Sequence, residues 1–293
     1  MDIITSLPPI TKGWCCSVLA TSILLTIKKV SIFNLLFKPD KALTNQNYRI
    51  LTSFITFNEL SLDLIFTLFA IANSCKRIEN RYLTTHSNLP SIIDNFSPLQ
   101  KQTLQKFIDK NKSIDFLYYF IQIGISIVIV VSLVYYKLNI PILELGRLLS
   151  ETFTYIDSRN DPNEIVSFMG LINFKNCYSP YFHIILNVSL RGREYLEMGR
   201  LQQIPIWKFP VFWIYLISYG LGHTWWVIRE VLLSTLHYDS NDERRIKRKE
   251  IMKRNNVVKF DLIRNCLVVF LLPPWYWFII KKINNRRDIN IHQ

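Results

Sequence analysis

The sequence predicts an all-α polytopic membrane protein: a bundle of six transmembrane helices with the N- and C-termini both cytosolic. Three observations predict it. Of 293 residues, 49% are hydrophobic and only 19% charged, below the quarter or so usual in a soluble domain. The apolar residues gather into long runs between polar segments. The Lys and Arg residues are also shared unequally between those segments, as the positive-inside rule describes.

The first span is expected over about 14–32, where Lys28 and Lys29 interrupt it and can snorkel to an interface. No basic cluster precedes its apolar run in MDIITSLPPITKGW, so the expectation is a retained span rather than a cleaved signal peptide. Residues 50–75 supply the second span, with Glu59 and Asp63 at i, i+4 and so on one face of a continuous helix. Residues 76–113 are polar, carry Pro90 and Pro98, and read as an inserted cytosolic loop. The clearest span is 114–136, IDFLYYFIQIGISIVIVVSLVYY, long enough for a hydrocarbon core about 30 Å thick.

The fourth span, 138–156, carries Glu144, Arg147 and Glu151 at i, i+3 and i+7, again one helical face. The fifth, 179–190, is apolar for about twelve positions, short of the roughly 20 a span needs. Either the bilayer thins around it or its limits lie elsewhere. The sixth, about 209–233, opens at Pro210 and is dense in Trp and Tyr. In it Ser218 and Gly222 form a small-x-x-x-small pair that allows close helix packing.

Hydropathy alone selects the first, third and sixth of these; the loop charges decide for six. With the N-terminus inside, the cytosolic segments hold 24 Lys and Arg and the opposite side 10. The net charge of +13 is concentrated beside apolar runs, as in RRIKRKEIMKR (244–254), which suits anionic lipid headgroups and not nucleic acid. The stretch 266–280, CLVVFLLPPWYWFII, is broken by Pro273-Pro274. A seventh span here would carry the last basic residues across the membrane, so an interfacial segment is expected. The expected organisation is thus a membrane domain over 1–240, with an insertion at 80–113, and a basic cytosolic tail over 241–293. The five cysteines form no C-x-x-C pair and have no histidine cluster beside them, so neither a zinc site nor any cofactor is expected.

Residues 155–174, YIDSRNDPNEIVSFMGLINF, run from a charge cluster into an apolar half with no turn signal between. Tyr155, Ser158, Arg159 and Pro162, then Phe168, Gly170, Leu171 and Phe174, resemble a paired motif of the derlin family, rhomboid-like proteins of endoplasmic-reticulum-associated degradation. Asp157 stands where that family has Trp. Further matches lie in the family's order: LPPITKGW (7–14); YRILTSF (48–54), with Tyr48 for Trp and then Arg49; Arg77-Ile78-Glu79; and GLGHTWWVIREVL (220–232), which includes His223. The resemblance covers about 7–233 apart from the insertion.

The resemblance implies a rhomboid-like fold in which Arg49 anchors the loop between the first two spans through backbone carbonyls. It also implies that Ser158 and Arg159 cap the cytosolic exit of the fourth span, with Asp157 in water or paired with Arg159, and that FMGLINF returns toward the fifth. Glu144, Arg147 and Glu151 are either self-neutralising pairs at the outer end of their helix or one wall of a hydrated cavity, and Glu59 and Asp63 pose the same choice.

Active rhomboids pair a Gly-x-Ser-Gly serine with a histidine on the sixth span. Here Gly146 begins GRLLSE, Ser150 is followed by Glu151, Tyr215 occupies the base position, and His223 is out of register. The implied protein is therefore not an enzyme. It is a multi-pass component of the endoplasmic reticulum membrane that helps misfolded polypeptides retrotranslocate. The alternatives are an active intramembrane protease, or a lipid-handling or scaffolding protein of the same fold. The implied partners are a membrane ubiquitin-ligase complex with its adaptors, substrate polypeptides and lipid. No glycine follows Gly222, so the Phe- and Gly-bearing box that recruits the AAA segregase is missing and that contact is expected to be indirect.

Asn95-Phe96-Ser97 and Asn111-Lys112-Ser113 are glycosylation sequons that this topology holds in the cytosol. The expectation is that the chain isolated from its membrane shows no mobility shift on glycosidase treatment; a glycan on either asparagine contradicts the six-span, N-inside arrangement.

Overall fold

The computed structural model describes residues 7–85, 88–90, 92–93, 96–170, 172–189, 210–233 and 258–289. Leu171 of the paired motif, Asn95 of the first sequon, residues 190–209 and the basic stretch 244–254 lie outside them. The chain is mostly helical and divides into two compact units: Met1–Arg81 with Phe120–Trp225, and Tyr82–Tyr119 with Trp226–Gln293. The expected division had placed 80–113 within the first domain; by compactness this stretch groups with the C-terminal segment.

The first unit opens with α1 (Pro9–Thr26), started by proline at its first position, where the missing N–H costs nothing. Thr11, Trp14, Cys15, Val18, Thr21, Ser22 and Leu25 are buried along one stripe, while Ile23, Leu24 and Ile27 are exposed. One-turn helices Ile32–Leu35 and Pro39–Ala42 lead to α2 (Tyr48–Ile55). Then comes α3 (Leu62–Arg81).

The expected continuous span over 50–75 is therefore two helices with an extended break between them. The break has a physical cause. The carbonyls at the end of α2 are taken by side chains of α1: Trp14 Nε1 donates to Phe54 O at 3.0 Å and Thr21 Oγ1 to Ile55 O at 3.2 Å. These replace the helical partners that continuation would need. Glu59 consequently lies outside any helix and is exposed, and does not share a helical face with Asp63.

Among the described residues, α5 (Lys112–Leu138) is the one unbroken helix long and apolar enough to cross a bilayer. Phe116, Tyr119, Ile123, Ile127 and Val131 are buried; Ile121, Ile125, Ile129 and Leu133 form an exposed stripe at four-residue spacing. Next comes α6 (Leu145–Asn160), which is buried nearly all round against α2, α3 and the Asn176–Tyr178 turn. Its 16 residues rise only about 24 Å.

A second correction concerns the all-α expectation. Ile165–Phe168 (β1) and Ile172–Lys175 (β2) pair antiparallel, Val166 opposite Phe174 and Phe168 opposite Ile172. Met169 (φ 53°) and Gly170 (φ 74°) turn the chain between them through left-handed conformations that suit glycine and strain methionine. Phe168 packs against Phe69 at 5.4 Å and Phe182 at 4.9 Å, which holds the hairpin on α3 and on α7, the helix over 179–189. The last helix of this unit, α8, spans Pro210–Trp226 and runs on as π-helix over Val227–Leu232.

In the second unit α4 (Pro98–Lys110) begins with a capping box made by Ser97 and Gln100. It joins α9 (Val258–Leu271) and α10 (Pro274–Ile289), which meet at a 108° bend. Leu89, Leu104, Ile108, Val268, Leu272, Tyr276 and Ile280 make one core. The segment expected to be a cytosolic loop is thus partly helical and packed.

Gly146 marks the tightest approach in the first unit: a Cβ there would lie 2.7 Å from Phe54 O and 2.9 Å from the Phe57 ring. Gly146→Ala is expected to destabilise the fold by about 1–3 kcal/mol, as overpacking does. Thermal unfolding in detergent measures it, with Gly13→Ala, which meets nothing within 4 Å, as the control.

Candidate functional site

Polar residues concentrate in two places in the first unit: a charged cleft, and a network at the other end of the same helices. The cleft lies between α3, α6 and α7 and opens to the outside, with a cavity volume of about 20 Å³. Asp63, in the first turn of α3, faces Arg147 of α6 at 3.6 Å and accepts from Asn58 Nδ2 at 3.2 Å. Arg147 also lies 3.0 Å from Glu144, the residue just ahead of α6. One turn further on, Glu151 lies 3.4 Å from His183 Nδ1 of α7. Thr67, Ser150 and Asn187 complete the polar lining, and Phe66, Ala70 and Leu186 the apolar part.

Arg147, Glu151 and His183 are all at least nine-tenths buried. Ionisable groups among such helices are costly and persist where they pair or line a water-filled path. Here they do both. The cleft presents two carboxylates, a guanidinium and an imidazole beside neutral hydroxyls and an amide, a surface able to donate and accept hydrogen bonds over two helical turns.

The second network gathers around the last turns of α3. Glu79 is 1% exposed and accepts from Ile10 N at 3.1 Å, Thr11 N at 2.8 Å and Thr11 Oγ1 at 2.7 Å. It thereby caps α1 from outside, using amides that have no partner within that helix. Two residues earlier, Arg77 grips Asp157 of α6 with Nε at 2.9 and 3.1 Å and with its terminal nitrogen. Asn176 donates to Asp157 O at 2.9 Å and Oδ2 at 3.1 Å. Asp157 is 2% exposed, so the expectation of a hydrated carboxylate or an Arg159 pair is overturned. At the surface Arg81 pairs with Asp161 and with Glu164.

The remaining expected residues fall outside the cleft. Arg49 is buried and donates to Phe33 O at 2.7 Å and Leu36 O at 3.1 Å, pinning the connection after α1, while Tyr48 beside it is half exposed. Ser158 Oγ turns back to Tyr155 O at 2.7 Å. Arg159 Nε donates to the Tyr155 hydroxyl at 3.0 Å, and His223 Nδ1 lies 3.1 Å from the same oxygen. Ser218 donates to Leu148 O at 3.1 Å, and Gly222 brings α8 so close that a Cβ would meet Tyr155 and Thr152 O at 3.0–3.2 Å. The two therefore seat α8 on α6.

Sequence reasoning missed His183, although a lone histidine in the apolar run SPYFHIILN is itself a membrane-depth signal. Thr67 and Asn187 carried no such signal.

Removing one partner of a buried ion pair costs about 3–5 kcal/mol because the other is stranded. Asp157→Ala is expected to lose that much stability, and Arg77→Ala/Asp157→Ala less than the sum of the single changes. Denaturation of the detergent-solubilised protein, read as a double-mutant cycle, checks it.

A family model described as the Der1-like family matches residues 7–201, a range that holds every cleft residue and both Arg77 and Glu79. Derlin-2.1 of Arabidopsis thaliana is 24% identical, over 66% of this chain and 72% of its own length. Derlin-2.1 of Zea mays is 23% identical over 66% and 69%, and Derlin-2 of Oryza sativa subsp. japonica 22% over 66% and 69%. The sequence motifs from Leu7 to Phe174 and the family match coincide along the chain, and on that match the chain belongs to the Der1-like family.

Proposed function

We propose that this chain is a non-catalytic, derlin-type component of endoplasmic-reticulum-associated degradation, a multi-pass protein of that membrane that helps misfolded polypeptides pass back to the cytosol. The observation that supports this reading is the charged cleft of Asp63, Arg147, Glu151 and His183 in a chain of this family. A peptide group moved into hydrocarbon without a hydrogen-bond partner costs several kcal/mol. A passing backbone would meet the donors and acceptors of the cleft instead. The short apolar run at 179–190 adds local thinning of the bilayer, which shortens the path. Partners in this reading are a membrane ubiquitin-ligase complex and its adaptors, with the AAA segregase reached through them.

A hydrolytic reading draws on one observation: Ser150 lines the same cleft as His183 and Glu151. Photocrosslinkers at Thr67 and Asn187 are expected to capture a degradation substrate during its export, and one at Ile125 on the outer face of α5 is not. Capture of lipid alone from the cleft positions, while substrate is being exported, refutes the path. Ser150→Ala is expected to leave export and substrate length unchanged; export lost with the protein still folded would turn the assignment to proteolysis.

A further inference from the structure

We propose that the bent helix pair α9–α10 is a wedge set into one leaflet of an anionic membrane, with its outward apolar side among the acyl chains and its lysines on the headgroups. Such a wedge goes beyond the retrotranslocation reading and does not depend on it. It also lies past residue 201, outside the stretch that matches the family.

The bend is built rather than loose. Leu272 and Pro273 separate the two helices, and Pro274 opens the second without an amide to continue the first. Leu272 and Tyr276 at the turn are buried in the core of the second unit, with Val268 on one limb and Ile280 on the other. The carboxylate of Asp115 accepts from Trp275 Nε1 at 3.0 Å, from the Tyr276 hydroxyl and from Thr84 Oγ1 at 3.0 Å. The Tyr276 ring meets Phe107 edge-on at 5.6 Å. With one side of the bend held this way, the other side is presented in fixed form.

That other side is apolar and exposed. Val269 and Phe270 close the first limb and Trp277 and Phe278 open the second; Phe270 is 62% and Phe278 76% exposed. Four large exposed apolar residues on the two limbs of one bend are more than the single, scattered exposures normal in soluble proteins.

The order of residues along α10 selects lipid as the occupant. Aromatic and aliphatic residues fill 275–280, and exposed Lys281 and Lys282 come one turn past Phe278. A bilayer has that same layering: hydrocarbon, an aromatic-rich interface, then charged headgroups. A protein groove has no reason to require it. Depth is set by length. The apolar part of each limb, seven or so residues, rises about 10 Å, less than half of a 30 Å hydrocarbon core. The wedge therefore stays within one leaflet.

The test uses the full chain with its native cysteines replaced, labelled with an environment-sensitive fluorophore at Phe270→Cys or Phe278→Cys, in vesicles containing phosphatidylserine. Gln105→Cys, on the exposed face of α4, is the control. Both wedge positions are expected to emit as from a nonpolar medium and to be quenched severalfold more by lipids with a nitroxide near the headgroup than near the bilayer centre. The control should emit as in water. Adding Lys281→Gln and Lys282→Gln should reduce the quenching severalfold, and so should vesicles of phosphatidylcholine alone. Water-like emission indifferent to both nitroxides overturns the proposal, as does strongest quenching from the bilayer centre, which would make the pair a span. Quenching unaffected by lysine replacement and by lipid charge overturns the anionic part.

Discussion

The last turns of α3 hold the first unit together. Within three residues, Arg77 and Glu79 reach two different helices: Glu79 closes the start of α1, and Arg77 takes the carboxylate near the end of α6. A buried carboxylate is stable only when its lone pairs are used, and Glu79 meets that demand with two backbone amides and a hydroxyl that would otherwise be orphans themselves. Arg77 and Asn176 do the same for Asp157, and Asn176 also joins the hairpin to α7 through Ser179 at 2.9 Å. The charges here are mutually dependent, so the helix ends are specified by chemistry and not only by shape.

With one end of α3 and α6 tied in this way, their other end can carry groups that do not contribute to cohesion. Asp63 precedes Arg77 by fourteen residues, about 21 Å along a helix, and Arg147 and Glu151 lie well before Asp157 on α6. Two of the pairs that line the cleft are long, 3.6 Å for Asp63 with Arg147 and 3.4 Å for Glu151 with His183, against 2.9 Å for Arg77 with Asp157; Arg147 keeps a 3.0 Å contact with Glu144 beside them. Longer pairs beside open space can exchange a partner for water or for another chain. The tight network positions the loose one.

The second unit repeats the principle with a different composition. It draws on segments more than a hundred residues apart, α4 and the α9–α10 pair, and joins them around an apolar core. Gln100 reaches Ile283 O at 3.1 Å and Arg264 reaches Leu89 O at 3.0 Å, each a side chain satisfying a carbonyl of the other segment. Arg229 stacks on Tyr82 and Tyr119 at 3.9 and 4.8 Å, so a partly buried guanidinium is held by ring faces as well as by the Tyr82 hydroxyl.

Composition and motif order sufficed, by themselves, for the family, for the mostly helical character and for α5 as a helix long and apolar enough to cross a bilayer, with an exposed aliphatic stripe. They also placed Arg147 and Glu151 on one helical face, whereas Glu144 lies just ahead of α6 and outside the helix. Tertiary structure decided the rest. Hydropathy reports contact with lipid, and α6, buried by protein on nearly every side, can carry Arg147, Glu151 and Asp157 and so reads as polar. The break before Glu59 is set by Trp14 and Thr21, forty and thirty-four residues from the carbonyls they take. The hairpin had only four residues per strand and a Met169-Gly170 turn, too little period-two pattern to stand out from a return loop. Asp157 was the least legible residue of all. A carboxylate in a charge cluster near a helix end reads as solvated, and only the approach of Arg77, eighty residues away in sequence, makes it a buried structural charge.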